Sequence, residues 1–244
     1  MMDSAILTFL HQVNEERAQR ARDAALNARV TALKDYQQRR FSRSYAVLLG
    51  SPRYGGAAEF FLRDLYGPDD FSARDAQFAR VVPGLVRLFP ADVIKTVCLL
   101  AELHAISEQL DSRMAHAAAA TPVTAAAYVQ AWQSVGEPAL RQRQIDLTMA
   151  IGAALEAYTR KPLLRQALRM MRGPASAAGM SALQNFLEKG FDTFKAMKGA
   201  DEFLAAIKVR EQALARALFD PEAVARLAGH AACPAGDDPL GQLP

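Results

Sequence analysis

Asp64 is the first candidate for a functional side chain in the sequence. It follows Phe60 by four residues and Phe61 by three, so a helix would place all three side chains on one apolar face. A carboxylate on such a face must be paired, hydrogen-bonded or protonated, because burying an isolated charge costs several kcal/mol. Asp64 is therefore either one half of a structural ion pair or part of a ligand site.

Two arginines that follow Asp64 are its expected partners. Arg74 and Arg80 come after a turn predicted at Gly67–Pro68, which would bring the two sides of the turn together. We expect one of these arginines to form a buried or half-buried contact with Asp64. If the acid instead binds a ligand, Tyr66, Arg74 and Arg80 are its neighbours in that site.

A second group of polar side chains lies on one face of a later predicted helix. His104, Glu108 and Asp111 recur at i, i+4 and i+7, an arrangement that metal and acid–base sites use. A carboxylate-bridged di-iron bundle needs a Glu-x-x-His pair on each of two helices, and none of the four histidines has an acid three residues earlier. We therefore favour a solvated or ion-paired helix edge. The alternative is an enzyme or carrier with an apolar small-molecule pocket near Asp64 and His104, in which His104 and Glu108 bind the ligand.

No metal or cofactor site is predicted. Asp69, Asp70 and Asp75 are close together, but calcium loops alternate their ligands around a glycine at a defined place, and this segment does not. The chain also contains no phosphate-binding loop, dinucleotide fingerprint, nucleophile elbow or His-Glu-x-x-His pattern. The sequence therefore favours a protein that is not an enzyme and that uses neither a metal nor a cofactor.

One acid lies within an apolar stripe near the C-terminus. Glu211 falls between the members of the stripe Leu204, Ile207, Leu214 and Leu218. A polar core network is expected between arginines and four acids. The acids are Asp64, Glu102, Asp146 and Glu211, and the arginines are ones such as Arg143, Arg169 or Arg210. Such networks are usually structural, although a small-molecule pocket uses the same residue types.

The strongest local charge lies in the segment 17–43. It contains eight basic residues and two acids, and a basic helix can track the phosphates of a nucleic acid. The basic residues are spread around the helix, however, and no helix-turn-helix or zinc pattern accompanies them. We therefore expect solvated surface or pairing between subunits and disfavour a nucleic-acid partner, which stays a further alternative.

Helices would carry all of these side chains, because nearly every apolar pattern in the chain has the helical period. The first helix is predicted to begin at Ser4 and to run to about Leu49, since no Pro or Gly interrupts it. Its middle turns consist of alanines and charged residues, which offer a lone helix little surface to bury. We expect this helix to project beyond the core or to pair with a second copy, so the protein is predicted to be a homo-oligomer, in the simplest case a homodimer.

Further helices are predicted along the rest of the chain. A break covers Gly50 to Gly56, a capping box at Ser72 and Asp75 begins another helix, and a long helix covers about 91–118. No alternating run of β-branched residues indicates a strand. The prediction is an all-α bundle of about eight to ten helices. It forms a single domain over 1–228, followed by a flexible tail over 229–244.

Composition places the chain among globular proteins. Of its 244 residues 51% are hydrophobic and 23% charged, and a net charge of +3 is too small to indicate a polyanionic partner. No run of about 18 apolar residues indicates a membrane span, and the first residues lack the pattern of a secretory signal. Cys98 and Cys233 have neither the spacing of a metal motif nor that of a disulfide framework. A cytoplasmic protein is expected.

The segment from Phe60 to Pro90 is the most distinctive in the chain. Its block FFLRDLYGPDDFSARD, together with the later LQNFLEKGF, resembles sequences of an uncharacterised family of all-helical bacterial proteins. The resemblance implies a helical fold, and because the family has no established activity it assigns no functional residue. These features together predict a non-enzymatic binding or interaction module that self-associates.

Overall fold

The protein is built from helices whose sequences have a 3.6-residue apolar period, and no strand occurs in the described residues. The computed structural model describes residues 2–65, 76–82, 90–118, 122–229 and 238–244. Their α-helices are α1 Met2–Ala21, α2 Ala24–Ser44, α3 Ala46–Leu49, α4 Gly55–Phe60, α5 76–82, α6 Ala91–Ala117, α7 Ala125–Val135, α8 Pro138–Thr159, α9 Pro162–Met170, α10 Arg172–Ala177, α11 Ser181–Ala196, α12 Asp201–Phe219 and α13 Ala223–Gly229. A π-helical turn, Phe61–Leu65, follows α4, and a 3-10 helix covers Pro239–Gln242. The predicted all-α bundle with a long N-terminal helix is confirmed.

The N-terminal helix is divided at Asp23. This residue has extended backbone angles, φ −125° and ψ 94°, and its side chain accepts a hydrogen bond from the backbone N–H of Leu26 at 2.9 Å. It is an N-cap, which satisfies a donor that the first turn of α2 leaves without a partner. The prediction of a single helix over about 4–49 is therefore wrong. A capping Asp begins a new helix without any Pro or Gly.

Both N-terminal helices pack along α6. α1 buries Ile6 and Leu10 in a cluster with Ile94 of α6, and α2 buries Leu26 beside Ala115 near the other end of α6. The expectation that the first helix projects beyond the core is wrong, because the 27-residue α6 is long enough to cover both α1 and α2. This packing removes the structural argument for pairing through the first helix. Self-association itself stays a prediction.

Two aromatic clusters form most of the core. The tyrosine–tryptophan cluster contains Tyr36, Tyr128 and Trp132, and its two tyrosine rings stack 4.9 Å apart between α2 and α7. The phenylalanine cluster contains Phe60 and Phe61 and includes side chains of α11 and α12. Phe60 and Phe61 are 2% and 3% exposed, so the apolar face predicted ahead of Asp64 is confirmed.

The last residues of the chain fold back onto the core. Asp238 caps the 3-10 helix by accepting a hydrogen bond from the backbone N–H of Leu240 at 2.9 Å. Leu240 and Leu243 are 1% and 5% exposed and join the tyrosine–tryptophan cluster. The predicted flexible tail over 229–244 is therefore wrong for residues 238–244, because these two leucines anchor them. Residues 230–237 lie outside the described ranges.

The longest helix, α6, has 27 residues and carries Lys95, Glu102 and Glu108 along its length. No helix among the described residues is both long enough and apolar enough to cross a membrane. The expected single domain over 1–228 stays a prediction.

Candidate functional site

The described residues line a partly open cavity of about 130 Å³ between α2, α6, α7, α8 and α12. Its lining combines aliphatic and aromatic side chains with four charged ones, Arg40, Asp111, Arg141 and Glu211. Charged side chains are rarely found in a protein interior unless they are paired or bind something. The cavity is therefore the candidate functional site in the part of the chain that the structure describes.

Helical spacing places the lining residues on the inner faces of separate helices. Arg141, Gln144 and Thr148 of α8 are spaced at i, i+3 and i+7, and Ser107 and Asp111 of α6 at i and i+4. Residues with these spacings lie on one side of a helix. Two facing stripes of polar side chains therefore meet across the cavity.

Arg40 and Glu211 form a pair on one wall of the cavity. Nη1 of Arg40 donates to Oε1 of Glu211, and the hydroxyl of Tyr45 donates to the same oxygen at 2.6 Å. Burial alone would lower the pKa of Arg40, but the charge of Glu211 raises it above its usual value. Burial, followed by the charge of Glu211, raises the pKa of Tyr45. This wall therefore holds an ionised pair whose charges balance.

Arg141 contributes a second positive charge to the lining. It is 5% exposed, and burial lowers its pKa. Nη1 donates to Oε1 of Gln144 at 3.2 Å, Nη2 donates to Sδ of Met114 at 2.9 Å, and the guanidinium carbon lies 3.8 Å from the centre of the Trp132 ring. No carboxylate of the described residues forms an ion pair with Arg141, and its Nε has no hydrogen-bond acceptor among them.

Asp111 belongs to the same lining and is buried. Nε2 of Gln37 donates to Oδ1 of Asp111 at 3.1 Å. Burial raises the pKa of this carboxyl; the charge of Lys34 opposes that change, and the charge of Glu108 adds to it. The surroundings of Asp111 therefore favour its neutral form more than water does.

His104 and Glu108, two of the predicted site residues, are brought together on α6 but do not line the cavity. Oε1 of Glu108 lies 3.3 Å from Nη2 of Arg17 and 2.8 Å from Nζ of Lys34. Nη2 of Arg20 donates to Oε2 of the same carboxylate. Nε2 of His104 lies 3.2 Å from Nη2 of Arg17 and 3.5 Å from Oε1 of Glu108.

The Glu108 cluster, defined by Glu108, Arg17, Arg20, Lys34 and His104, is a group of ion-paired side chains around a buried carboxylate. Glu108 is 3% exposed. Burial alone would raise its pKa, but the hydrogen bond from His104 and the charges of Lys34 and Arg20 lower it well below its usual range. This geometry agrees with the ion-paired helix edge that was one of the two arrangements favoured from the sequence.

The basic segment 17–43 points many of its charges inward. Arg17, Arg20 and Lys34 contact Glu108, and Arg40 contacts Glu211. Nε of Arg29 donates to the backbone oxygen of Ala115 at 3.0 Å. These internal contacts replace the solvated surface that we expected, and they leave fewer charges for a nucleic-acid backbone.

Asp64 lies away from the cavity lining and contacts a residue that the sequence analysis did not consider. Its Oδ2 is 2.5 Å from Nζ of Lys189 on α11. Arg80 is exposed on α5, whereas Tyr66 and Arg74, like the predicted capping box at 72–75, lie outside the described residues. Lys189 is therefore a cation partner of Asp64 beyond the predicted arginines, and the predicted contact with Arg74 lies outside the described residues.

The cavity lies beside the predicted pocket instead of at it. Phe61, three residues before Asp64, and Ser107, three residues after His104, both line it. The predicted polar network is divided between separate pairs. Glu102 pairs with Arg143 through two hydrogen bonds of 2.7 and 2.8 Å near the surface. Glu211 pairs with Arg40 of α2, which was not among the arginines predicted for it.

Arg141 is the functional candidate that sequence reasoning missed. A signal was present, since Arg141 precedes Ile145 by four residues and therefore occupies the apolar face of α8. Its importance was hidden because two of the side chains that surround it, Met114 and Trp132, come from other helices. No group of three or more His, Cys, Asp or Glu among the described residues is placed to hold a metal ion.

Comparison with known proteins gives a family but no activity. No curated protein matches the chain significantly, and no solved structure does either. The sequence model of one family, described as "Domain of unknown function (DUF8198)", matches residues 16–225, which include every charged residue of the cavity lining and the whole Glu108 cluster. The chain therefore belongs to this uncharacterised family.

Proposed function

We propose that the protein is a non-enzymatic binding module that holds a small molecule in its interior cavity. The observation that carries this proposal is the cavity of about 130 Å³ whose lining includes Asp111 and the ion-pair-free Arg141. A core that served stability alone would gain by filling this space with apolar side chains. Apolar walls with a few convergent polar groups are typical of small-molecule sites.

The size of the cavity limits the ligand. A cavity of about 150 Å³ with apolar walls accommodates benzene. A volume of about 130 Å³ is therefore suited to a compact molecule of about the size of benzene. A nucleotide, a sugar or a peptide would not fit without a rearrangement of the helices.

The polar groups of the lining favour binding over catalysis. The hydroxyl-bearing side chains of the lining are Ser107 and Thr148. Oγ of Ser107 accepts a hydrogen bond from Nε2 of Gln144 at 2.9 Å, and Oγ1 of Thr148 donates one to the backbone oxygen of Gln144 at 2.8 Å. A hydroxyl nucleophile needs an adjacent general base, and neither an amide nor a backbone carbonyl provides one. The pairing of Arg40 with Glu211 also leaves that carboxylate without the freedom of a base.

A thermal-shift screen tests the proposal. Small organic fragments are expected to raise the melting temperature of the wild-type chain and to have no effect on Ala215→Leu or Thr148→Leu, which fill the cavity from α12 and α8. Ala205→Leu is the matched control, because Ala205 is exposed on the same helix as Ala215. Far-ultraviolet circular dichroism confirms that each variant is folded.

Two results would contradict the proposal. One is a screen in which no fragment stabilises the wild-type chain. The other is stabilisation of the folded, cavity-filled variants to the same extent as the wild type, since binding would then occur elsewhere.

We also propose that the protein is bacterial, cytoplasmic and self-associating. The block FFLRDLYGPDDFSARD supports a bacterial origin through the resemblance described above. Cys98 is a free thiol among the described residues, as is usual for proteins of reducing compartments. Light scattering decides the question of self-association, and a mass of 26.6 kDa at micromolar concentration would contradict it.

A further inference from the structure

We propose that the ligand of the cavity is a small organic monocarboxylate with a short apolar tail, and that Arg141 binds its carboxylate. This inference rests on the proposed function, which it makes chemically specific. It follows from the partners of Arg141, from the charge balance of the lining and from the apolar walls.

The partners of Arg141 are all uncharged. They are the Gln144 amide oxygen, the Met114 sulfur and the face of the Trp132 ring. A thioether is a weak acceptor, and Nε has no acceptor among the described residues. A buried guanidinium without an ion-pair partner is costly, so a bound anion would supply the contact that the lining lacks.

The guanidinium of Arg141 is already oriented for such a ligand. Its stacking on Trp132, at 3.8 Å, fixes the plane of the group, and the hydrogen bond to Gln144 fixes its rotation in that plane. A planar guanidinium binds a carboxylate through two parallel hydrogen bonds. Binding therefore requires little further loss of conformational entropy from the Arg141 side chain.

The balance of charge indicates one negative charge on the ligand. Arg40 and Glu211 neutralise each other, and burial favours the neutral form of Asp111. Arg141 is the one cation of the described lining without an ion-pair partner. A dianion such as sulfate would leave a second charge uncompensated.

The remaining walls of the cavity are apolar. Phe41, Phe61, Met149, Ile207 and Leu214 line them. A tail of a few carbon atoms would fill this space and lose its contact with water. The inferred ligand thus has a carboxylate at one end and a compact aliphatic group at the other.

Calorimetric titrations with isobutyrate and its neutral amide, isobutyramide, test this inference on the full chain. Isobutyrate is expected to bind the wild type about tenfold or more tightly than isobutyramide, because charged hydrogen bonds are stronger than neutral ones. Arg141→Met should remove this preference, and Arg141→Lys should retain part of it. The control is Arg143→Met, since Arg143 pairs with Glu102 near the surface and should leave both affinities unchanged.

Each alternative result has a distinct meaning. Equal binding of the acid and the amide by the wild type overturns the assignment of a carboxylate and leaves the binding function intact. Binding of sulfate, a dianion, as tightly as isobutyrate overturns the assignment of a monoanion. Binding of none of the three compounds overturns the inference, and a fragment screen without any stabilising compound overturns the proposed function as well.

Discussion

Two carboxyl groups three residues apart on α6 have opposite environments. Glu108 is surrounded by Arg17, Arg20 and Lys34, and the pKa of its carboxyl is lowered although burial acts against this. Asp111 has an amide as its hydrogen-bond partner, and burial raises its pKa. Burial therefore acts to raise the pKa of both carboxyl groups. For Glu108, the hydrogen bond from His104 and the charges of the nearby cations outweigh burial and lower the pKa.

The first prediction concerns these two residues. Glu108→Gln should lower the free energy of unfolding by about 3–5 kcal/mol at pH 7, because it leaves buried cations without their counter-charge. Asp111→Asn should lower it by less than Glu108→Gln does, because Asp111 accepts a hydrogen bond from the Gln37 amide and forms no ion pair among the described residues. Chemical denaturation of the two variants measures both values. Equal losses would show that the cations around Glu108 do not determine its contribution.

Glu108 also makes the free energy of unfolding depend on pH. Because the pKa of Glu108 is lower in the folded chain than its ordinary value of 4.5, its contribution is present above pH 4.5 and is lost as the pH falls below it. The difference in stability between the wild type and Glu108→Gln should therefore shrink on acidification. A matched surface control is Glu137→Gln, whose partner Arg113 lies 2.8 Å away at an exposed site. This control should cost less than about 1 kcal/mol.

The N-terminal helices show how local and tertiary signals combine at the scale of an element. The segment from Ser4 to Leu49 has helix-forming residues throughout, so the helical conformation of most of its residues was predictable. Its division was not predicted, because Asp is tolerated inside a helix as well as at a cap. Whether Asp23 lies within a helix or caps a new one depends on the packing of α1 and α2 on α6, which involves residues far away in the sequence.

The second prediction tests this cap. Asp23→Ala should lower the free energy of unfolding by about 1 kcal/mol, whereas Asp23→Ser should nearly preserve it, because serine also accepts a hydrogen bond at an N-cap. Asp35→Ala removes a carboxylate from an exposed position within α2 and should have no destabilising effect. A continuous helix across residues 21–24 in wild-type amide NMR data would contradict the division.

At the scale of the whole molecule, the cavity lies where the two aromatic clusters meet. Trp132 and Leu214 of its lining belong to the tyrosine–tryptophan cluster, and Phe41, Phe61 and Ile207 belong to the phenylalanine cluster. Large aromatic side chains from two separate sets do not fill the space between them completely. The result is an opening with buried charges on both sides.

This placement explains what the sequence could and could not predict. The helical class and the burial of Phe60 and Phe61 follow from periodicity within short segments. The lining of the cavity comes from α2, α6, α7, α8 and α12, so no local pattern brings Arg141 together with Asp111. The anchoring of residues 238–244 by Leu240 was not predictable for the same reason, because the residues that pack against Leu240 lie on helices that are distant in the sequence.

The most direct measurement of the central claim uses the single tryptophan of the chain, Trp132, which lines the cavity. Each fragment that raises the melting temperature is titrated into the protein while the emission of Trp132 is recorded. The account predicts a saturable change with one binding site per chain, which persists in Ala205→Leu and is lost in Ala215→Leu. Emission that stays constant while the fragments stabilise the protein, or an equal response from folded Ala215→Leu, would contradict a ligand site in the cavity.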